Sequence, residues 1–220
     1  GWYQTHLYKT RFTLDLAQAN PTFDTRFGAQ GMAYFLFSDI LGNHKLQLGT
    51  AMQINLRKSD YFFSYRLLPY KIDWDFMIYH LAYQGRSFCS INYCESLLYQ
   101  NIGADIGGSK PISRFTRIDL SMGFKYMILS RDSIFNDGYN YNEKIYPIES
   151  FSTLIPSVEY IWDNALWLYP HTHPVEGWRY FLKYRISPGI IEDSKIFNSV
   201  TMDVRKYHRL VNGVSIAGRL

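Results

Sequence analysis

Period-two alternation of apolar and polar residues recurs along this chain from end to end, and helical periodicity is nearly absent. From Lys45 to Leu56, one side of an extended chain carries Leu46, Leu48, Met52, Ile54 and Leu56, and the other Lys45, Gln47, Gly49, Ala51, Gln53 and Asn55. From Thr116 to Tyr126, Ile118, Leu120, Met122, Phe124 and Tyr126 oppose Arg117, Asp119, Ser121, Gly123 and Lys125. Trp178, Tyr180, Leu182, Tyr184 and Ile186 alternate with Arg179, Phe181, Lys183 and Arg185, and Val200, Met202 and Val204 with Thr201, Asp203 and Arg205. A chain patterned this way builds two-faced strands.

Marking each such segment predicts about eleven strands at a spacing of roughly 20 residues, that of a membrane-crossing strand of about ten residues plus its turn. They are Leu7–Ala17, Arg26–Phe37, His44–Leu56, Tyr61–Leu67, Ile72–Gln84, Ser96–Ile106, Ser113–Leu129, Phe151–Trp162, Gly177–Ile186, Phe197–Tyr207 and Val214–Leu220. Short connections with turn chemistry fall at Ser38–Asn43, Pro69–Tyr70, Gly107–Pro111 and Val211–Gly213. Longer polar stretches, read as loops, fall at Gln18–Thr25, Gly85–Glu95, Ser130–Ser150 and Ser187–Ile196. Short and long connections mostly alternate, as at the two ends of an outer-membrane barrel, and Asp163–Glu176 breaks the pattern.

The 220 residues are 47% hydrophobic, 18% aromatic and only 19% charged. That excludes disorder, because the chain has ample surface to bury. A helical membrane bundle is excluded too, since the longest clean apolar run, Met32–Phe37, is far short of the roughly 18 residues a spanning helix needs. Net charge is +4, with Lys and Arg scattered singly, so there is no nucleic-acid footprint. Cys89 and Cys94 are too few for a disulfide scaffold, and both a loop disulfide and two free thiols are open. The chain begins at Gly1 and is read as a piece of a longer protein.

A soluble β-sandwich or lipocalin-like barrel also alternates. Three features favour a membrane barrel: strands longer than the usual five or six residues, a polar face carrying both charge signs, and aromatics near strand ends. Expected lumen-facing residues are Asp15, Gln47, Gln53, Arg117, Asp119, Lys125, Arg179, Lys183, Arg185, Asp203 and Arg205. Tyr61, Tyr65, Trp74, Tyr126, Trp162 and Trp178 are the expected aromatic girdle. Phe12, Leu14 and Leu16 are expected to face outward from the first strand.

Several strings add a family. Arg26-Phe27-Gly28-Ala29-Gln30-Gly31, followed by Phe35 to His44 with Phe37, Asp39, Gly42 and Asn43, resembles the "GxxG…FSDxLGNH" hairpin of Omp85-like, or bacterial surface antigen, barrels. Gly107-Gly108-Ser109-Lys110-Pro111-Ile112-Ser113-Arg114-Phe115-Thr116-Arg117-Ile118 is similar to that family's "YPLSRFxRxE" turn and strand. Pro156 to Trp167, Pro174-Val175-Glu176-Gly177-Trp178-Arg179-Tyr180, Ser187-Pro188-Gly189 and Asp203-Val204-Arg205-Lys206-Tyr207 resemble, in order, its "D(N/T)xLW…GP(V/I)xGxRY…SPG…DxRxY" series. The resemblance spans about Arg11 to Leu220. It implies an antiparallel up-and-down barrel of about sixteen strands, of which this chain holds roughly the first two-thirds. It also implies the bacterial outer membrane, contact with its lipid, a POTRA or TolB-like propeller module on the same chain, and unfolded outer-membrane proteins as clients. No catalytic residue, cofactor or metal is implied.

No motif for chemistry stands. His171 and His173, with Glu176 near, lie in a Pro-flanked loop without a defined third ligand. Gly107-Gly108-Ser109-Lys110 lacks phosphate-loop spacing, and Gly213-x-Ser215-x-x-Gly218 lacks that of a nucleophile elbow. Asp119, Asp163 and Asp203 are single carboxylates on separate strands, suited to pairing with lumenal cations. The functions left are a barrel that assembles or translocates proteins or anchors a periplasmic module, a passive channel for small solutes, and an enzyme-bearing barrel.

Overall fold

A computed structural model describes residues 8–24, 28–53, 55–136, 141–168, 173–191, 193–211 and 214–220. Its strands are β1 (Phe12–Asp24), β2 (Gly28–Asp39), β3 (His44–Met52), β4 (Asp60–Leu67), β5 (Asp73–Cys89), β6 (Tyr93–Pro111), β7 (Thr116–Asn136), β8 (Tyr141–Asp163), β9 (Gly177–Ser187), β10 (Phe197–Val211) and β11 (Val214–Arg219). Among the described residues one 3-10 turn, Leu56–Lys58, interrupts the β3–β4 connection. The strands form one antiparallel sheet in chain order, β1 to β11, whose two ends are not paired with each other.

Alternation and register together give the sheet two faces. One rung runs Phe35–Leu48–Phe63–Ile78–Ala104–Phe124–Leu154 from β2 to β8. The opposite face carries Tyr34–Gly49–Phe62–Tyr79–Gly103–Lys125–Thr153 on the adjacent rung. Apolar side chains point away from the sheet rather than into a shared interior: Leu120 is 59% exposed, Ile78 57% and Val200 68%. Only Leu98 and Val175 are buried hydrophobics among the described residues. A face this apolar and this open needs apolar surroundings.

The structure moves several boundaries. The stretches read as long loops at Gln18–Thr25, Gly85–Glu95 and Ser130–Ser150 are mostly strand, because the backbone ladder continues through polar sequence that composition marks as loop. β6, β7 and β8 reach 19, 21 and 23 residues, whereas β3 and β4 stop at 9 and 8. The asymmetry between the two ends of the sheet is therefore carried by overhanging strands more than by loops. Cys89 and Cys94 face each other across the β5–β6 hairpin and are disulfide-bonded. Gly107–Pro111 is strand rather than turn. Trp74 packs over Gly108, the close approach a strand glycine permits, and the chain reverses instead at residues 112–115. Asn212 and Gly213 of the Val211–Gly213 turn lie outside the described residues.

In β1 the simple alternation fails at a bulge. Leu14 pairs with Phe37 on the apolar face, the register shifts at Asp15, and Leu16 then pairs with Leu36 on the polar face. Leu16 thus does not face outward with Phe12 and Leu14, because one extra residue flips every later side chain.

Candidate functional site

Charged side chains concentrate on the polar face from β6 to β11. Asp163, Arg179, Arg205 and Arg219 are direct cross-strand partners on one rung. Arg179 approaches Asp163 at 3.5 Å, and Asp203, 6% exposed, accepts from Arg205 at 2.9 Å and from Arg219 at 2.6 Å. Farther along, Ser109, Asp119, Glu159, Lys183 and Thr201 form another rung. There Lys183 meets Glu159 at 3.0 Å, and Asp119 takes hydrogen bonds from Ser109 and from Arg117 at 3.2 Å. Ser121 and Ser157 hydroxyls are 2.6 Å apart, and Arg185 donates to Ser199 at 3.4 Å.

Arg117, Asp119, Lys125, Arg179, Lys183, Arg185, Asp203 and Arg205 therefore share one face, with Gln47 opposite Leu36 and Ser64 on the same side. Asp15 is the bulge residue, 3.4 Å from the Thr13 hydroxyl. Gln53 lies past the end of β3, where its backbone N–H donates to the Ser59 hydroxyl at 2.9 Å and closes the β3–β4 connection. It is a loop residue, not a rung. Sequence reading missed Asp105, Glu159, Arg219 and the Arg66–Asp75 pair at 2.6 Å; strand parity alone would have placed each on the polar face, and only register sets its partners. The polar face is also not uniformly polar. Phe62 covers Gly49 and Tyr79 covers Gly103, flat aromatic rings seated where no Cβ stands.

Tyr61, Tyr65, Trp74, Tyr126, Trp162 and Trp178 all fall on the apolar face. Tyr61 and Tyr126 occupy one level, in register through His80 and Ile102. Trp74, Trp162 and Trp178 lie toward the other end of the sheet. Trp162 stacks on Tyr180 with centroids 5.0 Å apart, and the Lys206 ammonium sits 4.7 Å over Trp178.

Motif residues Phe37 to Asn43, Arg114, Phe115, Asp163, Trp167, Gly177, Arg179, Tyr180 and Tyr207 gather at the end of the sheet bearing residues 40–43, 112–115 and 164–168, whereas Gly28 and Ser187–Gly189 stand at the opposite end. The Asp39 carboxylate is 3% exposed and accepts the His44 N–H at 2.8 Å and the Tyr8 hydroxyl at 2.6 Å, while Gly42 takes φ +70°. His44 in turn bonds the Tyr65 hydroxyl at 2.6 Å, and the Asn43 carbonyl accepts the Leu68 N–H. Arg114 and Phe115 are exposed in the next turn, whose Phe115 carbonyl accepts the Asp163 N–H. Asp163 caps Ala165, the Asn164 side chain accepts the Trp178 N–H at 2.7 Å, and Gly177 adopts φ +107° against the Asn164 carbonyl. Trp167 is exposed in this connection, and Tyr207 pairs with Gly177. Each motif is thus a hydrogen-bonded turn or an ion-paired rung.

At the opposite end the apolar face becomes polar and covered. Ser96, Leu98, Gln100, Ser130 and Asp132 continue the parity of the apolar rungs yet are buried. The β3–β4 connection folds across them. Lys58 reaches Asp132 at 2.5 Å and Glu143 at 2.6 Å, Asn55 donates to Glu143 at 2.8 Å, and Gln100 bonds both the Arg57 carbonyl and His80 at 3.1 Å. Burial opposes the Lys58 charge and the Glu143 charge alike, but their mutual bonds prevail, raising Lys58 and lowering Glu143, while burial pushes Asp132 up.

Of the candidate ligands, His171 lies outside the described residues, and His173 sits 2.9 Å from the Ser215 hydroxyl. Among the described residues no three His, Cys, Asp or Glu side chains converge as a metal site.

Among the described residues, eleven antiparallel strands in sequential order, one face apolar and the other charged, define an up-and-down β-barrel sheet. The chain is similar to the crystal structure of BamA from Haemophilus ducreyi lacking POTRA domains 1–3, with a TM-score of 0.57 and 14% identity. The match covers 90% of this chain and 38% of that one, so the chain has the fold of part of that structure. No family model matches the sequence, and no curated protein matches it.

Proposed function

We propose that this chain belongs to a bacterial outer-membrane barrel of the Omp85 type, non-enzymatic, which assembles or translocates outer-membrane proteins or anchors a periplasmic module. The observation that carries this reading is the continuous apolar face bounded by aromatics at two levels. Tyr126 and the partner of Trp162, Thr116, are ten residues apart on β7. At a rise of about 3.3 Å per residue and a tilt of about 40°, that is about 25 Å, the height of a barrel's apolar band. The charged face then lines a wet lumen. Open strand edges are not tolerated in lipid, so further strands join β11 back to β1.

In the assembly reading the working element is the β1 edge. Pro21 has no N–H to donate and the Asp15 bulge breaks the β1–β2 register, so β1 does not run as a regular strand up to its open edge. A weak seam lowers the barrier to adding a client strand. Depletion of the protein in its host should lower the folded amounts of other outer-membrane proteins, read by heat-modifiability on gels. Unchanged amounts remove the assembly role.

A passive channel is the second reading, favoured by the rung of Arg179, Arg205 and Arg219, which biases a lumen toward anions. A large, steady, anion-selective current from purified protein in planar bilayers supports the channel.

A further inference from the structure

One rung of the polar face runs Tyr34–Gly49–Phe62–Tyr79–Gly103–Lys125 from β2 to β7. Phe62 lies over Gly49 and Tyr79 over Gly103, each on the neighbouring strand, where a Cβ would collide with the ring. Both rings are therefore laid along the wall and turn a face, rather than an edge, toward the lumen. Tyr34 tilts against Phe62 with centroids 6.2 Å apart.

Polar groups border these rings. Gln47, Ser64 and Asp105 share the next inward-facing rung toward the motif end, and Lys125 closes the aromatic rung itself. All four side chains are half-buried, yet among the described residues none makes a hydrogen bond, and Asp105 and Lys125 do not meet as an ion pair. Nearer the motif end the charges are matched, Lys183 with Glu159 and both Arg205 and Arg219 with Asp203. Hydrogen-bonding capacity without an internal partner is thus gathered beside flat aromatic faces.

We propose that this platform binds a soluble oligosaccharide in the lumen, with sugar rings stacked on Phe62 and Tyr79 and hydroxyls bonded to Gln47, Ser64, Asp105 and Lys125. A sugar carries polarised C–H groups on its ring faces and hydroxyls around its rim. The first suit the negative face of an aromatic ring, and the second suit the amide, hydroxyl, carboxylate and ammonium groups at the platform's border. Other occupants leave half of the site unmet. An apolar protein segment covers the rings but takes water from four polar groups without replacing its bonds, and a small inorganic ion makes no use of the rings. Six strands at a spacing of about 4.8 Å make the platform about 24 Å long, room for several sugar units.

The inference rests on the barrel reading above, and the test separates the two. The whole protein is folded into phosphatidylcholine vesicles, folding is read by heat-modifiability, and maltohexaose and cellohexaose are titrated in by calorimetry. Binding of at least one of the two is expected. Phe62→Ala and Tyr79→Ala should each weaken it about tenfold, whereas Tyr79→Phe, which keeps the ring, should bind like wild type. Gly103→Ala keeps every group of the platform but lifts the Tyr79 ring off the wall, and should weaken binding as Tyr79→Ala does. Lys71→Gln, in the turn between β4 and β5, should change nothing. Folded wild type that binds neither sugar, the result given by a protein segment covering the rings, overturns the inference. So does a folded Phe62→Ala, Tyr79→Ala double variant that binds as tightly as wild type. A protein that shows no heat-modifiable form and does not enter vesicles overturns the barrel reading itself.

Discussion

Lys58, in the connection between β3 and β4, places its ammonium 2.5 Å from the Asp132 carboxylate on β7, skipping over β5 and β6. Asp132 is fully buried; one carboxylate oxygen has no hydrogen-bond partner and the other takes Lys58 and, at 3.3 Å, the Gln84 amide, so Lys58 is the cation that offsets its charge. Lys58→Met removes the cation and leaves Asp132 and Glu143 facing each other. The expected cost is about 3 kcal/mol in urea unfolding from vesicles, with faster amide exchange at residues 55–60. Replacing Lys58, Asp132 and Glu143 together by apolar residues should recover most of it.

The same cluster sets a pH response. Glu143 is held low, so its contribution is present above the usual glutamate range near pH 4.5 and is lost as pH falls through its lower folded value. Lys58 is held high, so its contribution persists below pH 10.5 and is lost only as pH rises beyond that. The protection factor at residues 55–60, exchange corrected for its intrinsic pH dependence, should be flat through neutral pH and should fall below about pH 4. A protection factor that falls already between pH 7 and 6 contradicts this.

Asp203 collects Arg205 and Arg219, and Arg179 stands on the same rung. Asp203→Asn leaves three neighbouring guanidiniums with Asp163 alone. Stability should drop, and Asp203→Asn with Arg205→Gln should cost less than Asp203→Asn by itself. Chemical unfolding of the four-variant cycle reads this directly.

Glycines on the two faces separate by what a methyl group would meet. A Cβ on Gly49 would stand 2.0 Å from the Phe62 ring, one on Gly177 would stand 2.6 Å from the Asn164 carbonyl at φ +107°, and one on Gly31 meets nothing within 4 Å. Gly49→Ala should cost about 1–2 kcal/mol and be largely relieved in a Phe62→Leu background, since the ring has to move. Gly177→Ala should cost about 2–3 kcal/mol with no such rescue, because backbone cannot yield. Gly31→Ala should be close to neutral. Refolding yield and urea midpoints distinguish the three.

Much of the fold was legible in sequence because strand parity is a local property. Ile118 to Tyr126 and Trp178 to Ile186 fall on the apolar face that simple alternation assigns them. The motif strings were visible as strings, but not their physics: Asp39 acts as the acceptor for His44, and Asn164 as the acceptor for Trp178, through contacts that appear only when the turn closes. Polar hairpins such as Ser130–Ser150 were unreadable, since hydration and a continued ladder suit the same residues.

Alternation by itself determined that the chain makes two-faced antiparallel strands, about eleven of them, because side chains of an extended chain point alternately whatever surrounds them. Register and long-range closure decided the rest. The single extra residue at Asp15 turned Leu16 to the other face, the Arg179–Arg205–Arg219 rung arose from three separate strands, and a seven-residue connection was drawn over β5 to β8 by Asp132 and Glu143. Such pairings join positions as far apart as Asn55 and Glu143, and their energy exists only once the sheet has brought those positions together.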